Sequence, residues 1–159
     1  MKRRTPPGSA DATRSGPYWP TGVDGGTPTD VRNVTLICGP PGSGKTTHAH
    51  ELDLDVYDID DEQWTGEPHF AAALTRLGTQ PDAQAAVIRS GATRTARHKT
   101  VHLIGATHTT VLAVDADVCI RRIRDRARNR PPLHQQIAAV REWWNTYEPE
   151  PVTHTSSRW

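Results

Sequence analysis

The sequence predicts an α/β fold in three layers, a parallel sheet of four or five strands with helices on both faces. Two observations carry this. Short apolar runs recur along the chain, each followed by a segment of helical period, and the first run ends in a glycine-rich loop that opens directly into a helix. Charged residues then follow the strand ends, where an open parallel sheet keeps its crevice. At 159 residues the chain suits one ordinary domain.

Residues 1–30 contain Lys2-Arg3-Arg4, many Pro, Gly, Thr and Asp, and few aliphatic side chains, so they read as a disordered arm. The domain proper is expected over 31–148, with 149–159 a flexible tail. Within it, Val34, Leu36, Ile37 and Cys38 form the first strand, buried on both faces. A helix follows from Lys45 to about Leu52, and residues 54–59 read as the second strand. Asp60, Asp61 and Glu62 then favour a helix start through the helix dipole. The next helix crosses Phe70 and Leu74 and is expected to stop at Gly78 in a left-handed cap. Ala85, Ala86, Val87 and Ile88 make the third strand, and residues 93–104 a helix stopped by Gly105. Residues 109–114 form the fourth strand. Asp115 or Asp117 caps a helix reaching about Arg128, which Pro131-Pro132 terminates. The last helix, 133–147, places Ile137, Val140, Trp144 and Tyr147 on one apolar face, and its Trp143-Trp144 pair reads as core packing.

With 19 Lys and Arg against 18 Asp and Glu, the formal net charge is +1. No bulk field therefore argues for nucleic acid or an anionic membrane, and nucleic-acid contact is possible only through a local patch such as Lys2-Arg3-Arg4. No apolar run approaches the roughly 20 residues that span a bilayer. Cys38 and Cys119 sit in segments that read as buried, with no Cys-x-x-Cys pair, which fits a reduced, cytoplasmic setting. The His98 and His102 pair, at i and i+4, reads as solvated helix surface.

The chemistry concentrates at Gly39-Pro40-Pro41-Gly42-Ser43-Gly44-Lys45-Thr46. Gly-x-x-x-x-Gly-Lys-Thr between an apolar strand and a helix is a phosphate-binding loop, or P-loop, and makes the fold class that of the P-loop NTPases. Its glycines let backbone N–H groups turn inward around phosphate oxygens at the positive end of a helix. Lys45 adds a point charge, the Thr46 hydroxyl is a Mg²⁺ ligand, and Thr47 lies in the same first turn. The expected ligand is a nucleoside triphosphate with Mg²⁺, ATP ahead of GTP.

A hydroxyl nucleophile needs a base, and a bound metal needs a carboxylate, both from the carboxyl ends of the strands. Asp60 is the choice for the general base, with Asp58 or Asp61 orienting it or holding metal-bound water. The third strand ends in Arg89 where a phosphate-site carboxylate often stands; Arg89 is a candidate for an anionic acceptor group. Asp115 offers an alternative metal carboxylate, but Asp115 and Asp117 are read as helix caps. Arg121, Arg122, Arg124, Arg126, Arg128 and Arg130 crowd one short stretch and repel one another unless anions sit among them. Arg122, Arg126 and Arg130 are the candidates to close over the transferring phosphoryl group.

These residues resemble small P-loop kinases of the polynucleotide kinase and zeta-toxin type, including short P-loop proteins described as AAA-family ATPases in actinobacteria and their phages. The likeness covers about residues 33–147 and rests on the loop, Asp58-Ile59-Asp60-Asp61, Val87-Ile88-Arg89, the stretch from Asp117 to Arg126 and the Trp-Trp helix. It implies transfer of the γ-phosphate of ATP-Mg²⁺ to a hydroxyl acceptor, the acceptor being a nucleic-acid end, a nucleoside or nucleotide, or a small alcohol. Asp60 or Asp61 would be the base, and Arg122, Arg126 and Arg130 the lid arginines. The family's arginine close behind the catalytic aspartate is replaced here by Glu62, Gln63 and Trp64. The alternative is an ATPase or nucleotide-dependent switch acting through a protein or DNA partner.

Overall fold

The computed structural model describes residues 31–126 and 131–151. The expected arm over 1–30, most of the tail, and Arg128 and Arg130 lie outside these residues. Four strands, β1 (Asn33–Cys38), β2 (Asp55–Tyr57), β3 (Gln84–Arg89) and β4 (His108–Val111), form one sheet in the order β2-β3-β1-β4, every pairing parallel. The helices are α1 (Lys45–Glu51), α2 (Glu67–Thr79), α3 (Arg94–Ile104), α4 (Ala116–Asp125) and α5 (Leu133–Thr146).

Strand periodicity sorts the core. Val34, Leu36 and Cys38 of β1 join Ala85 and Val87 of β3 on one face, under Phe70, Leu74 and Leu77 of α2 and Ile104 of α3. The intervening Ile37, Ala86 and Ile88 face the other way and pack with Ala49 of α1. A sheet buried on both faces in this way needs near-continuous apolar strands, which is what residues 34–38 and 85–88 supply. A separate cluster, Cys119, Ile120, Ile123 and Val140, joins α4 to α5.

Four element boundaries differ from expectation. Asp60, Asp61 and Glu62 do not open α2, which begins at Glu67 after a turn. Gly78 does not stop α2, which continues to Thr79, and its φ is not positive. A Cβ at Gly78 would run into the carbonyl oxygen of Leu103, so glycine is there for close approach of α2 and α3. β2 has three residues rather than six, because the chain turns away at Asp58. β4 ends at Val111: the Leu112 amide donates to Cys38 O at 2.8 Å as β1 itself ends, and the Val114 amide then folds back to Leu112 O. Gly105 caps α3 as expected, with φ 58°, and Thr93 Oγ1 accepts from the Ala96 amide at 3.2 Å at the other end. Asp115 occupies the N-cap position of α4 but makes no side-chain cap bond, and Asp117 lies in the first turn.

On α5 the more buried tryptophan is Trp143, 4% exposed, rather than Trp144. Trp143 Nε1 donates to Ser90 O at 2.7 Å and Trp144 Nε1 to Val114 O at 3.2 Å, so the pair fastens α5 to the ends of two strand segments. Arg97 is also fully buried. It donates to Gly91 O at 2.8 Å, Ala92 O at 3.0 Å and Glu150 Oε1 at 2.9 Å, while Glu148 Oε2 accepts from the Arg94 amide. The segment expected to be loose from residue 149 thus begins with an anchored Glu150.

Candidate active site

The loop from Gly39 to Lys45 lies at the carboxyl end of the sheet, between β1 and α1. Gly42 and Gly44 have φ of 77° and 91°, conformations that side chains disfavour. A Cβ on Gly42 would also sit 2.7 Å from Cys119 O, so the loop presses against α4. Pro40 is fully buried and Ser43 nearly so, its Oγ without a hydrogen-bond partner among the described residues. A buried polar atom lacking a partner inside a nest of amides suits an anion with several oxygens.

Lys45 folds back across the loop and donates from Nζ to Gly39 O at 2.8 Å and Pro40 O at 2.9 Å. Burial lowers its pKa from the usual value, an effect opposed mainly by the Asp58 carboxylate. Thr46 Oγ1 donates to Asp58 Oδ2 at 3.1 Å. Asp58 is 8% exposed, and its Oδ1 accepts from the Asp60 amide at 3.1 Å, which fixes both carboxylate oxygens at the start of the β2–α2 connection. A hydroxyl and a carboxylate held together beside the loop are hard oxygen donors of the kind Mg²⁺ takes. With Arg89 ending β3, Asp58 is the carboxylate that reaches Thr46.

Two clefts meet at the loop. The first, about 660 Å³, includes Gly39, Pro41, Lys45, Asp58, Asp60 and Arg89 in its lining, closed by Ala96, Lys99, Thr100 and Leu103 of α3. The second, about 590 Å³, is lined by Gly42, Ser43, Gly44 and Thr47 on one side and by Leu112, Arg122 and Arg126 on the other. Arg122 Nη1 lies 3.4 Å from both Gly42 O and Ser43 O. The i, i+4 spacing of Arg122 and Arg126 brings both to the second cleft, with Arg122 against the loop.

The expected residues divide accordingly. Asp58, Asp60 and Arg89 gather around Lys45 in the first cleft, and Thr47, Arg122 and Arg126 line the second. Asp61 is exposed and lines neither, and the same holds for Asp115 and Asp117. Arg130 falls outside the described residues. Arg89 carries a partner that sequence reasoning missed: its Nη2 donates to Glu67 Oε1 at 2.9 Å, and its guanidinium lies 5.3 Å from the Phe70 ring centre. Lys99 and Thr100 were missed as well. They are exposed or half-buried helix residues with no motif around them, and only the packing of α3 turns them toward the loop.

The strand order, the loop and the two-sided helical layers define a three-layer α/β P-loop NTPase fold. No protein-family model matches the chain, and no curated protein matches it by sequence. Solved structures do. The crystal structure of APE1195 is 18% identical with a TM-score of 0.50, covering 77% of this chain and 83% of that one. A gluconokinase from Sinorhizobium meliloti 1021 is 14% identical with a TM-score of 0.53, covering 77% of this chain and 78% of its own. At these identities the likeness is one of fold. Among the described residues, no helix is long and apolar enough to cross a membrane.

Proposed function

We propose that the protein is a phosphotransferase that moves the γ-phosphate of ATP to a hydroxyl acceptor. The observation that carries this reading is the pair of clefts meeting at one loop. Lys45 and Gly39 border the cleft that holds Asp58 and Asp60, while Gly42, Ser43, Gly44 and Thr47 border the cleft that holds Arg122 and Arg126. A nucleotide in the second cleft would present its terminal phosphate at Lys45, facing an acceptor in the first. A carboxylate would serve attacking water as well as an alcohol, but water alone needs no cleft of about 660 Å³ beside the terminal phosphate.

In this reading Asp60 accepts the proton of the acceptor hydroxyl as its oxygen forms the new P–O bond. The bond from phosphorus to the bridging oxygen breaks, and that oxygen leaves with the nucleoside diphosphate. Lys45 and the loop amides hold the phosphate oxygens, and Arg122 and Arg126 stabilise the charge that spreads over them in the transition state. Thr46 and Asp58 would hold Mg²⁺, which supplies neutralising charge to the phosphates when bound. Small neutral or charged alcohols, nucleosides and nucleic-acid ends are the classes to assay.

The test is transfer of label from γ-labelled ATP to a panel of such acceptors. Asp60→Asn is expected to lower kcat by about 10²-fold or more, the usual worth of a positioned base, with ATP affinity retained. Transfer to no acceptor, together with phosphate release to water that Asp60→Asn leaves unchanged, would refute the kinase reading.

A further inference from the structure

We infer that the acceptor is a small anionic alcohol, a hydroxyl compound carrying a carboxylate or phosphate, whose anionic group is bound by Lys99. The inference rests on the phosphotransferase reading of the two clefts and names the class of molecule the first of them takes.

Of the three lysines in the chain, Lys2, Lys45 and Lys99, the two within the described residues line the same cleft, although the chain otherwise takes arginine for its basic positions, 16 times among 19. Lys45 is committed to the loop, with its Nζ on two carbonyls. Arg89 is balanced by Glu67 at 2.9 Å and rests on the Phe70 ring. Lys99 makes no hydrogen bond or ion pair with any described residue, so its charge is available to a ligand. An ammonium group on a long flexible stem suits an anion whose position varies from one end of a small molecule to another. Leu103, 41% exposed, lies one helical turn further along the same side of α3 and gives an apolar wall for the carbon skeleton. Asp60 lines the same cleft and would receive the hydroxyl's proton. A neutral alcohol would leave the ammonium unused.

A nucleic-acid end is the competing occupant. It calls for a basic track continuing away from the reacting end. Among the described residues, the first cleft offers one uncommitted cation, Lys99, which matches a single anionic group.

The experiment measures binding and transfer for matched pairs on the full chain: glucose against glucuronate, ribose against ribose 5-phosphate, and a 5′-hydroxyl oligonucleotide. Calorimetry is run with a non-hydrolysable ATP analogue present, so that the loop is filled. The anionic member of at least one pair is expected to bind at least tenfold more tightly than its neutral partner, the carboxylate and phosphate pairs telling which anion is preferred. Lys99→Met is expected to erase that preference, and Arg76→Met, on the exposed face of α2, to leave it. Equal binding of neutral and anionic members, no binding of either, a preference that survives Lys99→Met, or preferential phosphorylation of the oligonucleotide would overturn the proposal. If neutral alcohols are phosphorylated as well as anionic ones, this inference fails while the phosphotransferase reading stands.

Discussion

Replacing Asp58 by Asn separates the charge of this carboxylate from its hydrogen bonding, and the two have different consequences. Oδ2 accepts from Thr46 Oγ1 and Oδ1 from the Asp60 amide, each at 3.1 Å. An amide of the same shape keeps an acceptor for the Asp60 N–H and turns an NH₂ donor toward the Thr46 oxygen. The hydrogen-bond change should cost folding about 1 kcal/mol, the net worth of one ordinary hydrogen bond, and Lys45, which loses the main charge offsetting its burial, adds to that cost. The lost charge acts on the ligand. Unit charges roughly 6 Å apart at an effective dielectric near 20 interact by about 3 kcal/mol. For the metal-free nucleotide, the variant removes a repelling neighbour of the triphosphate, and affinity should rise. For the Mg²⁺ nucleotide, it removes a carboxylate that attracts the cation, and affinity should fall by about 2–3 kcal/mol, roughly 30- to 150-fold on the same estimate. The assay is calorimetry with ATP in excess Mg²⁺ and again in chelator, on both proteins. Affinities that move in the same direction in the two buffers, or that do not move, would refute the placing of Asp58 at the metal.

Other perturbations test the packing that builds the site. Gly78→Ala puts a Cβ against the Leu103 carbonyl, so the roughly 1 kcal/mol that alanine gains over glycine in a helix interior should be outweighed by about 1–3 kcal/mol of overpacking; a higher midpoint in urea would show that α2 and α3 are not held this close. Arg97→Met strips a buried guanidinium from Gly91, Ala92 and Glu150 and should cost about 3–5 kcal/mol, whereas Arg94→Met, whose exposed side chain lies 3.9 Å from Glu148, should cost under about 1 kcal/mol. Similar midpoints for the two variants would remove Arg97 as the anchor of the 148–150 segment. Burial pushes the Cys38 thiol up from 9.0 to about 11. Its folded pKa lies above the unfolded one, so its contribution is complete below pH 9 and is lost as pH rises toward 11, at about 1.4 kcal/mol per pH unit. The stability difference between the wild type and Cys38→Ala should narrow with that slope over the window, and a difference independent of pH would contradict the burial.

The sequence carried the architecture because its signals are local. Apolar runs at 34–38 and 85–88 specify strands with two buried faces, and glycine, lysine and threonine at fixed spacing specify a loop whose backbone encloses phosphate. The i, i+4 arginines were legible for the same reason, since helical spacing alone puts Arg122 and Arg126 together. Boundaries were less so where a residue answers to a distant partner. Gly78 has the look of a cap, yet Leu103 explains it, and β4 stops at Val111 because β1, its neighbour, stops at Cys38.

The chain by itself determined that a parallel sheet would present a phosphate loop at its carboxyl end, with acidic residues from the second strand beside it. Only the tertiary structure decided where each of three nearby aspartates sits: Asp58 turns inward to Thr46, Asp60 lines the first cleft and Asp61 is left to solvent. It also brought Glu67 to Arg89 and Lys99 to the lining of the first cleft. Those pairings join positions tens of residues apart, and their cause is the packing of α2 and α3 against one sheet face, which no local pattern encodes.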